Sequence, residues 1–183
     1  EYWYKYEVGD VLNGWQYLYI LTAFDEGDPS IGLEPLESSR IQNAFRVFAD
    51  RPCFGVRKNT AVQYEWFTYR DVHQKVVSFA AGLVSLQLVR NETTASSDRE
   101  FVTICGRNCL EWFIADYACF HKSLISVPIH YSLTESDMAH VVENAGVSVV
   151  VCTVDLTAKY ITSASKCPTL KAIIEIGRTN DLD

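Results

Sequence analysis

The chain reads as an α/β protein with a mostly parallel sheet, helices on both of its faces and a β-hairpin. Three observations predict this. Nearly continuous apolar runs at Val102–Cys105, Leu124–Pro128, Val147–Cys152 and Ala172–Ile176 have the character of strands buried on both faces. Stretches of helical period lie between them, and strands alternating with helices indicate parallel pairing. Upstream, two short β-type runs flank a polar connection and read as a hairpin.

Taken in order, residues 1–34 are an unassigned leader or upstream segment. Their aromatic-rich parts, Glu1–Tyr6 and Trp15–Tyr19, have extended or strand character, and Phe24–Ser30 is an acidic, turn-rich break. A helix is expected from Ser38 or Ser39, with Ile41, Phe45 and Phe48 on one side. It stops near Asp50-Arg51-Pro52, because the residue before a proline is pushed out of the helical region. Cys53–Arg57 and Tyr64–Phe67 form the hairpin, joined by Lys58–Gln63.

Thr68 can accept a backbone hydrogen bond at the start of the next helix, and Asp71 at its third position favours the positive end of the helix dipole. This helix runs to about Leu86, with Val72, Val76, Phe79, Ala80 and Leu83 on its apolar side. Gly82 within it costs up to about 1 kcal/mol relative to alanine, so close packing is expected there. Asn91–Glu100 is a polar loop. Beyond it, helices are expected at Leu110–Lys122, Glu135–Asn144 and Leu156–Ser165.

With 183 residues, 48% hydrophobic and 21% charged, the chain has the composition of a globular domain. A formal net charge of -7 and scattered Lys and Arg exclude a nucleic-acid surface or an anionic-membrane patch. No signal peptide is visible, and Val11–Phe24 and Val147–Val154 are interrupted or too short to span a bilayer. An intracellular, cytoplasmic location is expected. Asn91-Glu92-Thr93 is a glycosylation sequon that matters only in a secreted protein.

Six cysteines fall at 53, 105, 109, 119, 152 and 167. Several lie in apolar strand or helix patterns, where a free thiol packs as a small hydrophobe. Cys105, Cys109, Cys119 and His121 are close in sequence but lack the paired spacing of a structural zinc site, so no metal is expected.

Ligands of a parallel sheet meet the carboxyl ends of its strands. Those positions are Gly106-Arg107-Asn108, His130-Tyr131-Ser132 and Thr153-Val154-Asp155. Gly106 permits a sharp turn out of the strand, and Asn108 can cap the following helix. Arg107 and His130 are the ligand candidates, Arg107 because strand-end basic residues meet anions. His130 can equally serve as a base or as a plain strand-end residue. Glu111 and Trp112 open the helix: a first-turn carboxylate suits the dipole, and the indole supplies packing area. No catalytic residue is assigned, since no acid–base partner for Glu111 is evident.

No G-x-G-x-x-G and no G-x-x-x-x-G-K-[ST] occurs. Tyr160–Pro168 superficially echoes the Tyr-Thr-Ser-Gly-Thr-Thr-Gly phosphate loop of adenylate-forming enzymes. It contains no glycine to let backbone N–H groups converge on phosphate, so it is rejected as a phosphate site and read as the end of a helix.

On these residues the chain resembles the N-terminal portion of acyl-CoA synthetases, particularly the long-chain fatty acid type. The resemblance starts at Asp50–Arg57, which includes Gly55 and Arg57, and continues through Tyr64–Tyr69 and Ala81-Gly82-Leu83. Asn108-x-x-Glu111-Trp112 and Ser126-Val127-Pro128 follow at family-like spacing, then Val149–Cys152 and Pro168–Ile174. These motif residues are expected to be mainly structural. The resemblance implies a large N-terminal domain of sheet-containing subdomains, closed by a small C-terminal domain.

The implied reaction adenylates a fatty acid with ATP and Mg, then passes the acyl group to CoA. The same resemblance places the phosphate loop, the nucleotide-binding aspartate and the catalytic lysine after residue 183. Residues 35–183 are therefore expected to be a part truncated before that loop, inactive and without cofactor by itself, and exposing apolar surface meant for its downstream half. Its partners are then fatty acid, ATP and CoA in the complete enzyme, with endoplasmic reticulum or another organelle membrane as a peripheral location. Ile129–Thr134 departs from the Leu-Tyr-Asp-Thr-Leu-Gly-like run of long-chain enzymes and leaves the acyl length open. The competing expectations are a non-catalytic interaction module derived from this subdomain, and an aryl- or amino-acid-activating ligase.

Overall fold

The protein's structure, a computed structural model, describes residues 37–57, 63–90 and 100–177. The expectations for residues 1–34, for most of the hairpin connection and for the polar loop that holds the sequon lie outside the described residues. The chain divides into two compact units between Lys75 and Val76.

In the first unit, helix α1 (Glu37–Val47) buries Phe45. The Phe45 ring stacks on His73 at 4.9 Å and meets Tyr69 edge-on at 6.4 Å. Strands β1 (Pro52–Val56) and β2 (Glu65–Thr68) pair antiparallel, with Gly55 opposite Trp66. A Cβ at Gly55 would lie 3.2 Å from the rings of both Trp66 and Tyr64, so the glycine leaves room for the two aromatics to lie across the strand. Arg57, half-buried, directly follows β1.

Helix α2 (Tyr69–Ser85) begins with a reciprocal cap. The Asp71 N–H donates to Thr68 Oγ1 at 3.2 Å, and the Thr68 N–H donates to Asp71 Oδ2 at 2.9 Å. Those Thr68 donors hold the Asp71 carboxyl below its ordinary value, the backbone N–H first and the hydroxyl second. Val72, Val76, Ala80 and Leu83 are buried, as their spacing predicts.

Close packing around Gly82 is not observed. A Cβ added there would meet nothing within 4 Å. Gly82→Ala is therefore expected to stabilise the fold by up to about 1 kcal/mol, because only the backbone-entropy penalty of glycine is removed. A rise in the denaturant midpoint at unchanged m-value checks this, and a fall would show a contact at this position.

The second unit holds a four-stranded parallel sheet in the order β4-β3-β5-β6. Its strands are β3 (Phe101–Cys105), β4 (Ile125–Ile129), β5 (Val149–Thr153) and β6 (Ala172–Ile176). Helix α3 (Leu110–His121) links β3 to β4, α4 (Glu135–Ala145) links β4 to β5, and α5 (Val154–Ser163) leads toward β6. Side chains alternate across the strands. Val102, Ile104, Val149 and Val151 share one core with Leu83, Val89 and the α3 residues Ala115 and Cys119. Cys105, Val150 and Cys152 share the opposite core with Met138 and Val142 of α4 and Leu156 and Tyr160 of α5.

Pro128, which lacks an N–H, lies exposed on the edge strand β4, where a missing ladder donor is tolerated. At the start of α4 the Asp137 N–H donates to Thr134 Oγ1 at 3.2 Å, and the Thr134 hydroxyl donates to Asp137 Oδ2 at 2.7 Å. Gly146 closes that helix at φ 64°, in the left-handed region that glycine adopts freely. The expected elements hold with shifts of one or two residues, except that α1 ends at Val47, before the expected stop near Asp50 and before Phe48. Two-residue shifts occur at β5, which starts at Val149 rather than Val147, and at α5, which spans Val154–Ser163 rather than Leu156–Ser165. Tyr160–Lys166 is the end of α5 followed by a single 3-10 turn. Among the described residues, no helix is long and apolar enough to cross a membrane.

Candidate functional site

Strand order locates the place where a ligand would approach. From β3 the chain leaves toward β4, on one side, and from β5 it leaves toward β6, on the other. The topological switch thus lies between the carboxyl ends of β3 and β5. Cys105 is level with Ile129 on one neighbour and with Cys152 on the other, so the segments after β3, β4 and β5 emerge side by side.

Two residues singled out separately from sequence are brought together there. The Arg107 guanidinium lies over the Tyr131 ring at 5.7 Å, and the same ring stacks on His130 at 4.6 Å. His130 Nδ1 lies 2.7 Å from Ser132 Oγ and accepts from the Ser132 N–H at 3.3 Å. Both Ser132 contacts engage Nδ1, which leaves Nε2 as the ring nitrogen turned to neither of them. His130 is thereby held at Nδ1 by its own loop. Arg107 and His130 are both exposed. Together they form a donor-rich rim around one aromatic ring, suited to an anion or a flat polar group.

Asn108 does not cap α3. The capping position is held by Cys109, in extended conformation and without a side-chain cap bond, while Asn108 is exposed one residue too early. Gly106 also has a different role from the one expected. Its φ is not positive, and the constraint is a neighbour: a Cβ there would come within 2.6 Å of Thr153 Cγ2 and 2.8 Å of Thr153 Oγ1. Thr153, from the far side of the switch, was named from sequence only as a strand-end position, not as a partner of Gly106. Its partner across the sheet is 47 positions away, and no local pattern announces such a contact.

Glu111 stands exposed in the first turn of α3, beside the Cys109 thiol. Trp112 packs against the core beneath α3 and meets Phe113 edge-on at 5.2 Å. Cys105 and Cys119 lie in cores on opposite faces of the sheet, which separates two members of the Cys/His group near α3. Among the described residues, no group of three or more His, Cys, Asp or Glu is placed to hold a metal ion.

Comparison with known proteins bears on what this scaffold belongs to. The family model described as AMP-binding enzyme matches residues 41–182. Acyl-CoA ligase 891, peroxisomal, of Penicillium roqueforti is 32% identical over 113 residues, covering 62% of this chain and 16% of that protein. Long chain acyl-CoA synthetase 8 of Arabidopsis thaliana is 33% identical over 114 residues, covering 62% of this chain and 15% of that protein. The chain thus matches only a small share of these relatives' length. Among solved structures, the A-PCP didomain of carboxylic acid reductase from Segniliparus rugosus, in complex with AMP, superposes with a TM-score of 0.65. It is 18% identical and is matched over 82% of this chain and 22% of that one, a likeness of fold.

Proposed function

Because the chain belongs to the AMP-binding enzyme family, we propose that it supplies the first α/β part of an ATP-dependent long-chain fatty acid–CoA ligase. The observation that carries this reading is the family match across residues 41–182, joined to curated relatives named as acyl-CoA and long-chain ligases. In this reading residues 35–183 are the N-terminal part of the AMP-binding domain, residues 1–34 stand apart from it, and the enzyme works inside the cell. The complete enzyme uses ATP, Mg and CoA: a fatty acid is adenylated with loss of pyrophosphate, and CoA then displaces AMP to form a thioester.

The described residues supply no glycine-rich cradle for the phosphates of ATP. The one segment that echoes a phosphate loop is a helix end without glycine, so no step of adenylation is assigned to them. Their part is to build the sheet and to present Arg107 and the His130 ring at its carboxyl edge, where a substrate anion can be met.

The test is fatty-acid-dependent release of pyrophosphate from Mg-ATP. The complete polypeptide carrying this chain is expected to release it with long-chain fatty acids, and residues 1–183 alone are expected to release none. Turnover by residues 1–183 alone would sink the division of labour proposed here. Release dependent only on aryl or amino acids would move the protein to another adenylate-forming class, and no release with any carboxylate would favour an interaction module.

A further inference from the structure

Thr153 occupies the capping position of α5, with φ -71° and ψ 153°, yet its side chain caps nothing. Threonine is favoured at such positions because its oxygen can accept one of the first free N–H groups of the helix. Here the side chain turns across the sheet into the space a Cβ would fill at Gly106. Thr153 is 8% exposed, and its Oγ1 is buried without a hydrogen-bond partner. The fold thus forgoes a cap and tolerates an orphan hydroxyl to keep this contact.

The contact joins the end of β5 to the residue that precedes Arg107. Arg107 in turn lies over Tyr131, which follows β4. A continuous line of neighbours, Thr153 to Gly106 to Arg107 to Tyr131, therefore spans the three strand ends. From this we infer that Gly106 and Thr153 are a positioning pair, one filling the space the other leaves open, that fixes the turn carrying Arg107 at the ligand rim. The inference rests on the ligase reading of that rim. Neither residue touches the substrate; both act through Arg107.

The pair is tested by moving volume across it in the complete polypeptide while KM for ATP, CoA and fatty acid are measured separately from kcat. Arg107→Ala is expected to raise the KM of the anion it meets by about tenfold or more, the loss of one charge-assisted contact. Thr153→Ala empties the space beside Gly106, and Gly106→Ala crowds it. Each is expected to raise that same KM by about fivefold through misplacement of Arg107. The double variant Gly106→Ala/Thr153→Ala removes the two atoms that a Cβ at 106 would strike and leaves it 3.2 Å from the Cβ of residue 153, and is expected to return KM to within about twofold of the parent.

Should Gly106→Ala fail to fold, Thr153→Ala, which removes only an unpaired hydroxyl and a methyl, still decides the matter. An unchanged KM in folded Thr153→Ala, or a double variant no better than the two single ones, overturns the positioning role. If Arg107→Ala changes no KM, or the complete polypeptide has no ligase turnover, the reading of the rim fails and the pair's role falls with it.

Discussion

Replacing Ile104 with alanine is expected to destabilise the sheet unit by roughly 2–5 kcal/mol, the range for a buried large-to-small change that leaves a cavity. Ile104 is fully buried on β3, which is paired on both sides, by β4 and by β5. It shares its core with Leu83 and Val89 and with Ala115 and Cys119 of α3. Ala115 is already small, and strands on both sides fix the backbone, so little can close in on the lost methyl groups. Ile161→Ala is the control: Ile161 is 62% exposed on α5, and its truncation is expected to change stability by no more than about 0.5 kcal/mol. Equilibrium denaturation of the two variants side by side checks the contrast. Equal losses would mean that β3 is not the centre of the core.

The second large effect is expected in the chemistry of the cysteines. All six are free thiols, and only Cys109 is half-buried; the other five are buried. Burial pushes the thiols of Cys53 and Cys119 up to about 12, and those of Cys109 and Cys152 up to about 11. The thiolate is the reactive form, so both access and ionisation protect these groups. A thiol reagent applied just below the ordinary thiol pKa is expected to label at most one cysteine per folded chain, and all six in denaturant. Rapid labelling of two or more in the folded protein would contradict the packing of the sheet.

The same shifts set a sign for pH. A folded pKa above the unfolded value means that the unfolded chain loses its protons first as pH rises. The stabilisation from these thiols is full below their ordinary value of 9.0 and is lost progressively as pH rises through 11 to 12. Alkaline unfolding is therefore expected to begin above that ordinary value. Asp71 acts at the opposite end: its lowered pKa gives stability above its ordinary 3.8 that is lost as pH falls through the folded value.

Much of the fold was legible because its signals are local. The nearly continuous apolar run at Val147–Cys152, bounded by helical patterns, reads as a strand covered on both faces, and the Thr68–Asp71 pair marks a helix start through bonds three residues apart. Gly82 was misjudged because a helical glycine looks the same whether or not something packs on it. At the start of α3, Asn108 is the better capping residue by type, yet the helix begins one residue later, at a position where Cys109 offers no side-chain bond.

The candidate site was only half legible. Arg107 and His130 were each visible as strand-end residues, but their shared contact with Tyr131 depends on β3 and β4 ending level. Thr153 was invisible as a partner of Gly106 because strand order, not spacing, brings them together.

The central claim, that this scaffold serves a long-chain acyl-CoA ligase, is tested most directly by identifying the product. The complete polypeptide, given Mg-ATP, CoA and an equimolar mixture of long-chain fatty acids, acetate, benzoate and amino acids, is analysed for thioesters by mass spectrometry. Long-chain acyl-CoA is expected to dominate, with AMP formed in equal amount. Thioesters of benzoate or acetate alone, or no thioester at all, would contradict it.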